Sequence, residues 1–219
     1  MPEALHPWNL TPKEAVRVQQ KLRPRVIAAS LEDSAIRTIA GVDVGLPRGG
    51  KIARAAIAVL DYTTLELLES ATAEMPVPFP YVPGLLSFRE MPVILQAIEQ
   101  LSALPDVFLV DGHGYAHPRR FGLACHLGVW MKKPSIGCGK SILVGETEPL
   151  AGPRGSVAPL RDGDEIIGMA VRTRSDVRPV YISIGNRVDL ESAVRIALNC
   201  GRGVRLPEPV RQAHKLASG

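Results

Sequence analysis

Residues 36–74 read IRTIAGVDVGLPRGGKIARAAIAVLDYTTLELLESATAE, and they divide into three segments of β character: Ile36–Val44, Ile52–Asp61 and Leu65–Glu74. Pro47-Arg48-Gly49-Gly50 and the short turn around Tyr62-Thr63-Thr64 separate them. Connections this short join antiparallel neighbours, so the stretch predicts a three-stranded meander. Asp43 lies inside Ile39-Ala40-Gly41-Val42-Asp43-Val44-Gly45, where an unpaired carboxylate is costly to bury unless a cation or hydrogen-bond donors satisfy it.

Outward from the meander, Thr11-Pro12-Lys13-Glu14 has the form of a capping box with proline at the first helical position. It predicts an N-terminal packing helix, placed at about residues 11–32, which Pro24 kinks or ends. Downstream, Pro76, Pro78, Pro80 and Pro83 exclude regular structure, and Leu85–Leu101 has helical apolar spacing with an early kink at Pro92. Strand Val107–Val110, helix Phe121–Met131, strand Ser135–Cys138, β segments Ile166–Arg172 and Val180–Ile184, helix Leu190–Leu198 and a last short helix at about 207–217 complete the reading. The order β-β-β-α-β-α-β predicts an α/β fold, one mixed sheet with flanking helices as in ribonuclease H-like nucleases. Its core is expected over about 36–200, and residues 1–219 are expected to form a single domain. In that arrangement the first and fourth strands are neighbours, which brings Asp43 and Asp111 together.

The chain has 219 residues, 46% of them hydrophobic, which is ample for an ordinary core and argues against disorder. Its formal charge is +4, and arginine outnumbers lysine; a GC-rich genome and phosphate binding by guanidinium forks both account for that bias. Three cysteines (Cys125, Cys138, Cys200) without disulfide-scaffold spacing, and no charged-then-apolar leader, predict a reducing, cytoplasmic setting. No apolar run approaches the ~20 residues needed to cross a bilayer, so no membrane partner is expected.

Asp111-Gly112-His113-Gly114-Tyr115-Ala116-His117-Pro118-Arg119-Arg120 follows the apolar Val107–Val110 directly. A carboxylate ending a buried strand, with glycines, histidines and an Arg pair behind it, points to metal and phosphate chemistry. Paired with Asp43, Asp111 suggests one shared cation, and Glu90, in the first turns of a helix, is a third oxygen donor for a hard, Mg²⁺-type site. Structural zinc is disfavoured, because His113 and His117 sit on a loop and no Cys-x-x-Cys exists. His117 reads as a donor to phosphate or base. Arg119 and Arg120 read either as a solvated pair or as a phosphate clamp. Gly137-Cys138-Gly139-Lys140-Ser141 lacks the full P-loop pattern, so Lys140 reads as a lysine for developing phosphate charge. Tyr81-Val82-Pro83 is a rigid apolar tip of the kind used as a wedge between bases.

These blocks, with Pro80-Tyr81-Val82-Pro83-Gly84-Leu85-Leu86-Ser87-Phe88-Arg89-Glu90, His117-Pro118-Arg119-Arg120-Phe121-Gly122-Leu123-Ala124 and Arg205-Leu206-Pro207-Glu208-Pro209, span most of the chain and closely resemble endonuclease V, a nuclease family that incises nucleic acid near deaminated purines. The resemblance implies a deoxyinosine 3′ endonuclease that initiates repair and leaves 5′-phosphate products, using Mg²⁺ with Mn²⁺ as a substitute. Asp43, Glu90 and Asp111 become the metal-linked acids, Asp43 and Asp111 the ligands, with His214 nearby and Lys140 beside the scissile phosphate. Tyr81, Val82 and Pro83 become the wedge, and Gly84, Leu86, Gly112 and His117 the pocket for hypoxanthine. The implied partner is deoxyinosine-containing DNA; an inosine-specific endoribonuclease is the rival, since nothing in these motifs separates a required 2′-hydroxyl from an excluded one. A non-catalytic damage-binding module is the rival of another class, and no protein partner is indicated. Asn186 after Gly185, where a His-Arg pair is usual, Cys125 before His126 and Cys138-Gly139 before Lys140 depart from the family pattern and leave the pocket wall open.

Overall fold

The computed structural model describes residues 2–47 and 50–218; Arg48 and Gly49, half of the first expected turn, lie outside them. Helix α1 (Pro12–Leu22) opens on the capping box, with the Thr11 hydroxyl accepting the Glu14 amide and the Glu14 carboxylate accepting the Thr11 amide. It stops well short of residue 32. Pro24 has no N–H with which to continue the ladder, so the chain tightens into one 3-10 turn, Arg23–Arg25, and leaves the helix.

Strands β1 (Thr38–Gly45), β2 (Ile52–Asp61) and β3 (Leu67–Pro76) form the expected meander. β3 starts two residues late because Asp61 Oδ1 accepts the amides of Thr63 and Thr64, and Leu65 turns at φ 56. Then come α2 (Leu86–Ile98), β4 (Val107–Val110), α3 (Leu123–Met131) and β5 (Ser135–Gly139), with Pro92 carried inside α2. Two strands were not expected: β6 (Glu146–Thr147) and β7 (Val157–Asp162). β7 turns into β8 (Glu165–Val171) through Gly163-Asp164, with Gly163 at φ 61, a hairpin signal the sequence carries in plain view. β9 (Val180–Asn186), α4 (Leu190–Asn199) and α5 (Glu208–Ser218) complete the chain.

Among the described residues nine strands lie in the order β3-β2-β1-β4-β5-β9-β8-β7-β6, with β1, β4 and β5 mutually parallel at the centre and the other neighbours antiparallel. This is the ribonuclease H-like mixed sheet expected from the element order. Strand residues alternate between faces. Ala40, Val42, Phe108 and Val110 pack in the core with α2 and α3, whereas Ile39, Val107 and Leu109 pack in the one with α4 and α5. Asp43 and Asp111 continue the second series, so both carboxylates belong to the face that α5 covers. Glycine at position 41 permits that cover, since a Cβ there would stand 1.8 Å from the Pro209 carbonyl oxygen.

The segment before α1 is fastened to the other face. Trp8 stacks on Trp130, with ring centroids 4.9 Å apart, and His6 Nε2 lies 2.8 Å from His126 Nε2. The proton positions follow from the outer partners. His6 Nδ1 donates to the Pro7 carbonyl, leaving its Nε2 to accept from His126 Nε2–H, while His126 Nδ1 accepts from the Ser87 hydroxyl. All three groups are therefore neutral. No described helix is long and apolar enough to cross a membrane.

Candidate active site

The pairing Val42↔Val110 places Asp43 and Asp111 at the same level, at the carboxyl ends of adjacent parallel strands. Lys140 follows β5, the next parallel strand, so three neighbouring strands each deliver a charged group to one edge. Crevices beyond the carboxyl ends of parallel strands are where open α/β sheets bind ligands. From α5, His214 Nδ1 reaches Asp43 Oδ2 at 2.7 Å, and Lys140 Nζ lies 3.5 Å from that same nitrogen. Asp43, Asp111 and His214 each offer a ligand atom, all within 4.8 Å of one another. Lys140 Nζ also stands 2.5 Å from Asp111 Oδ2, an ion pair that places a positive charge at the edge of the acid group.

The charges explain what such a site asks for. Burial, and then the nearby Asp43 charge, raise the Asp111 carboxyl above its ordinary value, against the opposing pull of Lys140 and His214. Glu90, presented by α2 from the other face, is buried, and that burial, with Asp43 and Asp111 behind it, pushes its carboxyl up to about 8. A cluster of acids that hinder one another's ionisation, with three ligand atoms within 4.8 Å of one another, fits a divalent cation. Two carboxylates and an imidazole form a donor set suited to Mg²⁺ or Mn²⁺. Glu90 lies beside this group rather than within it.

Next to the acids is a cavity of about 160 Å³ whose lining includes Tyr81, Val82, Pro83, Gly84, Leu86, Gly112 and His117. Gly112 links the two features, since it lines the cavity and directly follows Asp111. Tyr81 stands 72% exposed at the rim, with the Arg89 guanidinium 5.9 Å from its ring centroid. The N-terminus of α2 has no side-chain cap, and its first residues, Leu86 and Ser87, line the same cavity. Orphan helix N–H groups there favour an acceptor.

The family model for Endonuclease V matches residues 20–215. The chain belongs to that family. It is 50% identical over 217 residues to Endonuclease V of Roseiflexus castenholzii, covering 99% of this chain and 96% of that one. The crystal structure of Endonuclease V from Streptomyces avermitilis superposes with a TM-score of 0.92 at 44% identity, covering 96% of this chain and 93% of that one. That of Ciona intestinalis Endonuclease V, in complex with a 24mer DNA containing an inosine followed by a ribo-adenosine, superposes with a TM-score of 0.82 at 27% identity, covering 94% and 95%.

Within this member of the Endonuclease V family, three expected ligand-binding side chains have other partners. His117 accepts the Arg119 amide at Nδ1, so its Nε2 carries the proton and donates to the Gly84 carbonyl at 3.0 Å. Burial and the neighbouring Arg119 lower its pKa to about 4, so it is a neutral imidazole in the cavity wall. Arg119 is engaged by Gln19 and Gly84. Arg120 is paired with Asp162 and Glu165 at 2.8 Å each, in a side chain only 12% exposed. Both guanidiniums thus have partners within the chain.

The three departures from the family pattern lie away from the cavity lining. Asn186 accepts the Ile27 amide and donates to the Gly128 carbonyl, tying the segment after α1 to α3, while Cys125 is buried in a small cluster with Leu22, Phe121 and Val129, and Cys138 in the core with α4 and α5. Gln19, Ser87, His113, Gly122, Leu123 and Leu143 also line the cavity and were not expected there. Gln19 carried no signal, because one polar residue in an amphipathic helix looks solvent-facing until the loops above it are placed.

Proposed function

We propose that this chain, acting as a single domain, is a divalent-metal-dependent endonuclease that takes deoxyinosine out of duplex DNA and hydrolyses a phosphodiester on its 3′ side. The products carry a 5′-phosphate and a 3′-hydroxyl, and the reaction initiates repair of deaminated adenine. The observation that carries this reading is the junction at Asp111-Gly112, where the acid cluster and the cavity share consecutive residues. A base held in the cavity therefore has its own backbone at the acids. Family membership and the inosine-containing DNA in the Ciona relative support the same reading.

Asp43, Asp111 and His214 would hold the cation, Mg²⁺ or Mn²⁺ in its place. When bound, it acts as a Lewis acid that activates water and eases departure of the leaving oxygen. The chain's own groups do the rest. Lys140 places positive charge where the phosphate must lie. Glu90, buried beside the two aspartates, has its carboxyl raised to about 8 without a cation, and a bound cation would favour its charged form. Tyr81, Val82 and Pro83 fill the gap in the stack, while the uncapped end of α2 offers N–H donors to a base oxygen. Three buried free cysteines suit a reducing cytoplasm.

RNA is the second substrate to test, because a ribonucleotide follows the inosine in the Ciona complex. The deciding assay presents paired DNA and RNA strands with one inosine each, with and without Mg²⁺. Cleavage 3′ to inosine in DNA, absent with adenine, is expected. Equal cleavage at adenine would overturn the reading.

A further inference from the structure

Arg205 opens the block Arg205-Leu206-Pro207-Glu208-Pro209 just ahead of α5, and its guanidinium reaches the backbone of Lys140. Nη2 donates to the Lys140 carbonyl at 2.5 Å and to the Pro179 carbonyl at 2.8 Å, while Nε donates to the carbonyls of Arg178 at 3.0 Å and Pro179 at 3.3 Å. The carbonyl of Arg205 itself accepts from the hydroxyl of buried Thr173 at 2.5 Å. One residue thus joins the exit of β5, the approach to β9 and the approach to α5. The place of this joint matters. The β5–β9 ladder ends on the pair Gly139↔Tyr181, so Lys140 lies one residue beyond its last pair. The Arg205 fork takes over there, holding the Lys140 carbonyl against the residues that lead into β9. Lys140 Nζ, at the far end of a flexible four-carbon stem whose side chain is 38% exposed, pairs with Asp111 and lies 3.5 Å from His214 Nδ1. Where that ammonium can reach is set by where its backbone is pinned.

We propose that Arg205 is a positioning residue for Lys140: its guanidinium fixes the backbone of Lys140 against the approach to β9, and thereby places the ammonium for the reacting phosphate. The inference rests on the reading of Lys140 given above. A positive charge stabilises a developing oxyanion only from the right place, and a displacement of about 1 Å can cost about a hundredfold in rate. Without the fork, the Lys140 carbonyl loses its donor beyond the end of the ladder, and the residue drifts together with its ammonium. Glutamine at 205 removes both the fork and the charge. Lysine keeps the charge but is a point donor that cannot span carbonyls of three residues.

The test uses the full chain in Mg²⁺, with Arg205→Gln and Arg205→Lys each made alone and combined with Lys140→Ala. Single-turnover cleavage of an inosine duplex is followed over a range of enzyme concentrations, which separates the maximal rate from half-saturation. At saturating enzyme the rate constant does not depend on the fraction folded. Both single variants are expected to lower the maximal rate roughly tenfold or more, with half-saturation held within about twofold. On the Lys140→Ala background the same substitutions are expected to cost less than about threefold, because the group they position is already gone. An equal loss on both backgrounds means that Arg205 braces the fold or acts through His214, and overturns the proposal. So does an Arg205→Lys variant at the wild-type rate, which would assign the effect to charge and not to the fork. Lys140→Ala cleaving as fast as the wild type overturns the reading of Lys140 and this proposal with it.

Discussion

Asp111 donates its amide to the Val42 carbonyl at 2.8 Å, one step past the Val42–Val110 pair, and this bond seats its carboxylate beside Asp43 on the face that α5 covers. Neutralising either acid should stop cleavage without harming the fold. Asp43→Asn and Asp111→Asn are each expected to lose activity by roughly a hundredfold to a thousandfold or more. Because the charged form of Asp111 is disfavoured in the metal-free protein, Asp111→Asn should raise the metal-free Tm. Mg²⁺ should stabilise the wild type by about 2.7 kcal/mol at a hundred times its Kd, reversibly on chelation. An undiminished Mg²⁺ shift in both variants would show that the cation binds elsewhere.

Gly112→Val separates base capture from metal binding. A Cβ at Gly112 meets only ordinary contacts, 3.6 and 3.8 Å from Leu123, but the residue sits at φ 154 and its side chain would enter the cavity. Inosine-directed cleavage is expected to vanish while the Mg²⁺-induced rise in Tm remains. Loss of that rise as well would place the damage at Asp111.

Tyr81→Ala removes an exposed ring that the protein hardly needs for stability. Stacking worth about 1–3 kcal/mol per base should be lost on duplex substrates and matter less on single strands. Kinetics on the two forms of one inosine oligonucleotide decide it, and an equal loss on both would mean that Tyr81 is no wedge.

The His6–His126 lock predicts acid sensitivity. Burial holds His126 well below the ordinary histidine value, with His6 adding to the effect. The unfolded chain therefore takes up this proton near pH 6.5 while the folded chain refuses it, and stability is lost as pH falls below about 6.5. Glu90 works in the opposite sense, because its raised pKa makes the folded state favour the protonated carboxyl below about 8. Comparing urea midpoints of wild type and His126→Gln cancels the Glu90 contribution. The wild-type advantage should shrink steadily from pH 7.5 to 5; a constant difference would argue against the neutral lock.

Much of the site was legible because strand parity and pairing are local rules. Once Ile39-Gly41-Asp43 and Val107-Leu109-Asp111 are read as adjacent parallel strands, the two carboxylates must meet. The partners of Arg119 and Arg120 were not legible because a guanidinium in sequence has none, and only the folded chain brings Gln19, Gly84, Asp162 and Glu165 to them. β7 is hard to read from sequence although Asp162-Gly163 marks its turn, since Val157–Asp162 contains Pro159 and little alternation. Gln19 was invisible because its partners are carbonyl and guanidinium groups far along the chain.

The seat of α5 on Gly41 also sets how separable the catalytic group is. Asp43 and Asp111 meet through the pairing of neighbouring strands, but His214 comes to Asp43 from 171 residues away, on a helix that only the glycine groove admits. Loosening α5 alone would therefore withdraw the imidazole while both carboxylates keep their places, so the last helix is the part of the fold through which the centre can be taken apart without unfolding the sheet.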